Sequence, residues 1–118
     1  MEISGVHHVS INVDDVDVAK DFYVDVLGMT VDPRPDLGFP GYWLAFADGR
    51  QVHLIGKGEV PPAYGQHFAV TVPDLEAAVA EVRAKGIKVS DPKFQPTGAA
   101  QSFCSDPSGN LVEFHQPG

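Results

Sequence analysis

HVSINVDDVDVAK (8–20) and HFAVTVPDLEAAV (67–79) write one pattern twice, 59 positions apart, with a histidine at the head of each copy. In the first copy Val9, Ile11 and Val13 alternate with Ser10 and Asn12, the period of two expected of a half-buried strand. Asp15 then stands where a helix N-cap belongs, and Ala19, Phe22, Tyr23 and Val26 recur at helical spacing until Gly28 stops the run. The second copy repeats each step. Phe68, Val70 and Val72 mark the strand, Asp74 the cap, Leu75, Ala78, Val79 and Val82 the apolar stripe, and Gly86 the stop. The offset is 59 at the histidines and caps but 58 at the stop glycines, so the second helix is one residue shorter. A short apolar stretch follows each helix, Met29 to Val31 and Ile87 to Val89.

The later halves match more weakly. FADGRQVHLI (46–55) and SDPSGNLVEFH (105–115) each carry a Gly-bearing turn and then an apolar strand. Aligning Gly49 with Gly109 sets Val52 on Val112, Leu54 on Phe114 and His53 on Glu113. Each half therefore predicts a strand, a helix and about three more strands. The expected fold is α+β, two βαβββ modules packed as a duplication within a single domain of residues 1–118. The first module covers 1–55 and the second 66–118. The Gly- and Pro-rich GKGEVPPAYG (56–65) links them.

The 118 residues suffice for a core without staples. A net charge of −8, with eight scattered Lys and Arg, argues against a nucleic-acid partner. No apolar run has membrane-spanning length, and the start has no basic-then-apolar signal. The one cysteine, Cys104, excludes an internal disulfide and suits a reducing cytoplasm, where it reads as a small buried hydrophobe.

Residues two apart on a strand share a face. His8, Ser10 and Asn12 therefore face away from the helix, as do His67, Ala69 and Thr71. Gln51 and His53 take that side opposite Val52 and Leu54, and Glu113 and His115 take it opposite Val112 and Phe114. If the two sheets curl toward one another, His8, His53, His67 and Glu113 supply three imidazoles and a carboxylate for a divalent metal. His7 has the opposite parity and reads as a surface residue. DPRPDLGFPGYW (32–43) and PTGAAQSF (96–103) read as loops over the site, with Phe39 and Trp43 as an aromatic wall. Ser10, Asn12, Gln51, Thr71, Phe103 and His115 complete the expected substrate lining.

HHVSINVDDVDVAKDFYVDVLGM (7–29), QVHLI (51–55), HFAVTVPDLEAAV (67–79) and DPSGNLVEF (106–114) together resemble the vicinal oxygen chelate superfamily. That superfamily includes glyoxalase I, fosfomycin-resistance enzymes, extradiol dioxygenases and bleomycin-resistance proteins. The resemblance implies metal ligands at His8, His67 and Glu113, with the fourth position, His53, varying among Glu, Gln and His. It implies a divalent ion (Ni, Zn, Mn, Co or Fe(II)) acting as a Lewis acid on a small substrate with vicinal oxygens. The leading expectation is a glyoxalase-like isomerase or lyase in which Glu113 is base as well as ligand. Asn12 replaces the glutathione-binding arginine expected on the first strand of glyoxalase I, and His53 replaces a glutamate ligand, so glutathione dependence is not expected. An Fe(II) dioxygenase is the first alternative: His8, His67 and Glu113 would form its triad and His53 an acid–base residue. A non-catalytic binding protein of the bleomycin-resistance type is the second. A cytoplasmic homodimer is expected.

Overall fold

Each histidine-led segment opens a parallel strand pair and feeds a helix capped by its aspartate. The computed structural model describes residues 1–57, 59–60 and 65–118, in two compact units, Met1–Pro61 and Pro62–Gly118. Gly58 and Pro61 to Tyr64 of the expected linker lie outside the described residues.

In the first unit β1 (His8–Asn12), β2 (Thr30–Asp32), β3 (Gly41–Ala45) and β4 (Gln51–Ile55) form one sheet in the order β1-β4-β3-β2. The β1–β4 pair is parallel and the others antiparallel. Helix α1 (Val16–Asp21) begins where the Asp15 carboxylate accepts from the Asp17 and Val18 N–H groups, two of the donors a helix start leaves without partners. It packs over β3 and β4, and Val13, Ala19, Phe22, Tyr23, Leu44, Val52 and Leu54 are buried. The helix then continues as a π-helical turn, Phe22–Val26, in which the Leu27 N–H donates to the Phe22 carbonyl at 3.2 Å. A π turn absorbs one extra residue without breaking the helix. It accounts for the residue by which the first copy exceeds the second. Gly28 follows at φ 77°, the left-handed conformation that ends a helix most readily in glycine.

The second unit repeats this plan, with β5 (His67–Thr71), β6 (Lys93–Phe94), β7 (Ala100–Ser105) and β8 (Leu111–Gln116) in the order β5-β8-β7-β6. Helix α2 (Leu75–Ala84) is capped by Asp74, which accepts from the Ala77 N–H, and by Gln116 Oε1, which accepts from the Leu75 N–H at 2.7 Å. Leu75, Val79 and Val82 are buried, with Val112, Phe114 and Cys104 also in the core. Burial, and then the charge of Asp106, push the Cys104 thiol up to about 11, which suits a packed thiol and not a nucleophile.

Three expectations are corrected. The apolar stretch Ile87 to Val89 is not a strand, and the equivalent of β2 comes later as the two-residue β6. Ser90 pairs with Phe103 only in part: its N–H donates to the Phe103 carbonyl at 3.0 Å, while its Oγ accepts the Phe103 N–H at 2.8 Å, where a regular ladder would present a backbone carbonyl. Within 96–103, Ala100 to Phe103 belong to β7, and within 32–43, Gly41 to Trp43 belong to β3. The loops proper are 33–40 and 95–99. Among the described residues no helix is long and apolar enough to cross a membrane.

Candidate metal and substrate site

On the face of the first sheet away from α1, the register lays Asp32, Trp43, His53 and Ser10 in one row across the strands. The next row holds Thr30, Ala45, Gln51 and His8. Three rings stack there: His8 lies 3.9 Å from His53 between centroids, and Trp43 lies 4.6 Å from His53 on nearly parallel planes. Tyr42, one residue from Trp43, turns the other way and donates its hydroxyl to Asp17 of α1, as strand alternation requires.

His53 is further held by a short relay. Gln51 donates through Nε2 to Asp32 Oδ2 at 2.7 Å, so its Oε1 faces His53 Nε2 at 2.8 Å as an acceptor. Burial depresses the His53 pKa, helped by charge on His8 and His7 and by the Arg34 guanidinium. That shift favours the neutral ring, the form that can bind a metal. His8 Nδ1 lies 2.9 Å from His7 Nδ1. One ring of this pair donates and the other accepts, and His7 stands edge-on to His8, outside the stack.

The second unit presents a donor pair of different chemistry. Glu113 is buried, with 9% exposure, on the strand face opposite Val112 and Phe114. Its Oε1 lies 3.3 Å from His67 Nε2 and its Oε2 lies 3.4 Å from His115 Nδ1. His67 Nδ1 sits 2.7 Å from the Gly65 carbonyl. A carbonyl only accepts, so Nδ1 carries the proton, and in the neutral ring Nε2 turns its lone pair toward the carboxylate. Two acceptors facing each other call for a cation: a proton on His67 or a metal. Two donors bound to one ion at about 2.1 Å and at 90–110° stand about 3.0–3.4 Å apart, so the observed separation fits. Phe103 of β7 packs edge-on against His67 at 5.4 Å.

Within each unit, then, the expected ligands come together as pairs, His8 with His53 and His67 with Glu113. His115 joins the second pair. Ser10, Gln51 and Trp43 share the face of the first, and Phe103 and the exposed Thr71 share that of the second. Asn12 donates to the Glu59 carbonyl at 3.3 Å, and Phe39 lies in the 33–40 loop beneath two cations. The sequence reading missed Asp32, Arg34 and Lys57. Asp32 and Arg34 stood within the 32–43 stretch expected over the site without being singled out, and Lys57 was visible only as a charge in the linker.

Two βαβββ units, each with a histidine heading its first strand and a His or Glu on its last, define a class of small α+β proteins. The chain belongs to the Glyoxalase/Bleomycin resistance protein/Dioxygenase superfamily, whose sequence pattern matches residues 5–114. It is 32% identical to a lactoylglutathione lyase of Haemophilus influenzae, over 91% of this chain and 88% of that one. A crystal structure described as a glyoxalase family protein from Bacillus anthracis matches with a TM-score of 0.89 at 26% identity, over 100% and 98% of the two chains. TnmS3, an antibiotic binding protein from Streptomyces sp. CB03234, matches with a TM-score of 0.85 at 29% identity, over 100% and 99%.

Proposed function

We propose that the protein is a divalent-metal-dependent, glyoxalase-like isomerase or lyase acting on a small substrate with vicinal oxygens, without glutathione. Its ligands are His8, His53, His67 and Glu113, and the ion is one of Ni, Zn, Mn, Co or Fe(II). The observation that carries this reading is His67 Nε2 standing 3.3 Å from Glu113 Oε1 while Nδ1 is taken by the Gly65 carbonyl. Superfamily members commonly use divalent metals. When bound, the metal supplies Lewis-acid polarisation of the substrate oxygens.

The chain's own residues do the rest. Glu113 is the base that takes the proton from the carbon beside a carbonyl and returns it to the neighbouring carbon. His115 steadies its second oxygen. Gln51 and Asp32 orient His53, which has a donor or acid–base role. Asn12, in place of an arginine on the first strand, and His53, in place of a glutamate, support a substrate other than a glutathione adduct. A homodimer in the cytoplasm completes the proposal; light scattering returning one chain's mass at micromolar concentration would exclude the dimer.

The test is metal analysis of protein purified without chelators or affinity metals, then solvent-deuterium exchange into small 2-oxo and 2-hydroxy compounds with that metal restored. Exchange that is lost in Glu113→Gln supports the reading. The Trp43–His53–His8 stack and the likeness to TnmS3 favour a second reading, a binder of planar small molecules. Tight binding of such a ligand with no exchange or turnover under any metal would move the assignment there.

A further inference from the structure

The 33–40 loop between β2 and β3 gathers positive charge on a chain whose net charge is −8. The Arg34 guanidinium carbon lies 5.0 Å from the Phe39 ring centroid, and Lys57 Nζ, just past β4, lies 4.9 Å from the same centroid. Two cations on one ring repel each other, and the ring's quadrupole offsets only part of that. Arg34 is half-buried. It donates through Nη2 to the Phe39 carbonyl at 3.0 Å, which uses one of its five N–H donors.

Neither cation has an ion-pair partner among the described residues. The two carboxylates nearest Arg34 in the chain are engaged elsewhere: Asp32 Oδ2 accepts from Gln51, and Asp36 Oδ1 accepts from the Gly38 N–H.

The guanidinium also lies on the functional face. Gly41 shares parity with Trp43 on β3, and a Cβ added at Gly41 would come within 2.5 Å of the Leu54 carbonyl oxygen and 2.9 Å of Arg34 Nη2. The missing side chain thus leaves the room Arg34 occupies, one pleat repeat along the strand from the ring stacked on His53.

We propose that Arg34, with Lys57 beside it, binds a carboxylate on the substrate, so that the protein selects small acids bearing vicinal oxygens at one end and an anionic group at the other. A half-buried guanidinium with a free fork on the ligand face suits bidentate recognition of a carboxylate. This deepens the functional reading above and rests on it for the position of the oxygens.

The test uses two probes of equal length, butanohydroxamate and succinohydroxamate, which differ in a terminal methyl against a carboxylate. Each is titrated calorimetrically into zinc-loaded and metal-free protein, for wild type, Arg34→Gln and Arg34→Lys. Wild type should bind succinohydroxamate at least about tenfold more tightly than butanohydroxamate, as one charge-assisted pair implies. Arg34→Gln should abolish the preference and Arg34→Lys keep part of it. Equal affinities in wild type, no binding of succinohydroxamate, or a preference that survives Arg34→Gln overturns the proposal. So does an equal loss of both probes in Arg34→Gln, which would make Arg34 only a tether of the loop. Metal dependence is read separately: probes that bind alike with and without zinc contradict the metal reading, while an Arg34-dependent preference still stands.

Discussion

Glu113→Gln keeps the shape of the side chain and removes its charge, so it isolates what the carboxylate contributes to holding a divalent ion. A unit negative charge about 2.1 Å from a doubly charged ion is worth about 4 kcal/mol even at the dielectric of bulk water, where the attraction is weakest. That corresponds to several hundredfold in affinity, at about 1.4 kcal/mol per factor of ten. Glu113 is only 9% exposed, so water screens it less than this floor assumes. The amide oxygen keeps a weak dipolar bond, which returns part of the loss. The net expectation is a drop of at least about hundredfold in zinc affinity, measured by competition with a chromogenic chelator at pH 7.5. His115→Gln serves as the control. His115 Nδ1 approaches the other carboxylate oxygen at 3.4 Å and is not among the proposed ligands, so its loss should cost about tenfold or less, the low end for partners that orient a ligand. Glu113→Gln within about threefold of wild type would refute the reasoning, since even fully screened attraction predicts far more.

Two further outcomes follow from the same geometry. The His53 pKa is lowered in the folded chain, so the unfolded chain binds more protons there and metal-free stability falls as pH drops through the ordinary value of 6.5 toward the folded one. Urea midpoints between pH 7.5 and 5.5 should show this fall and flatten in His53→Gln; an unchanged slope would reject the linkage. Asp15→Ala removes the acceptor for two helix N–H groups and should cost about 1 kcal/mol, read as a lower urea midpoint at constant slope.

The pairing of units was legible because histidine, aspartate and glycine punctuate both copies at matching steps, and strand alternation reports which face a side chain takes. Glu113 could be found that way, since Val112 and Phe114 on either side had to face a helix. The 59-to-58 offset was a real signal of the π turn, although read alone it showed only a length difference. What stayed hidden depends on cross-strand register. Nothing in the order of residues says that Asp32 reaches Gln51, or that Trp43 lies flat on His53, until β2, β3 and β4 are aligned. The Ser90 hydroxyl takes one of the two bonds to Phe103, because a local hydroxyl can compete with backbone pairing at a strand edge. The cations on Phe39 come from segments 23 residues apart, Arg34 and Lys57, with no periodicity to link them.

The proposed function makes His8, His53, His67 and Glu113 the donors for a divalent ion. Zinc stoichiometry tests it most directly, measured by equilibrium dialysis on wild type and on the double variants His8→Ala/His53→Ala and His67→Ala/Glu113→Gln. One zinc per chain in wild type and loss of micromolar binding in both variants are the expected results. Zinc retained at full affinity by either variant, or no zinc bound by wild type, would contradict it.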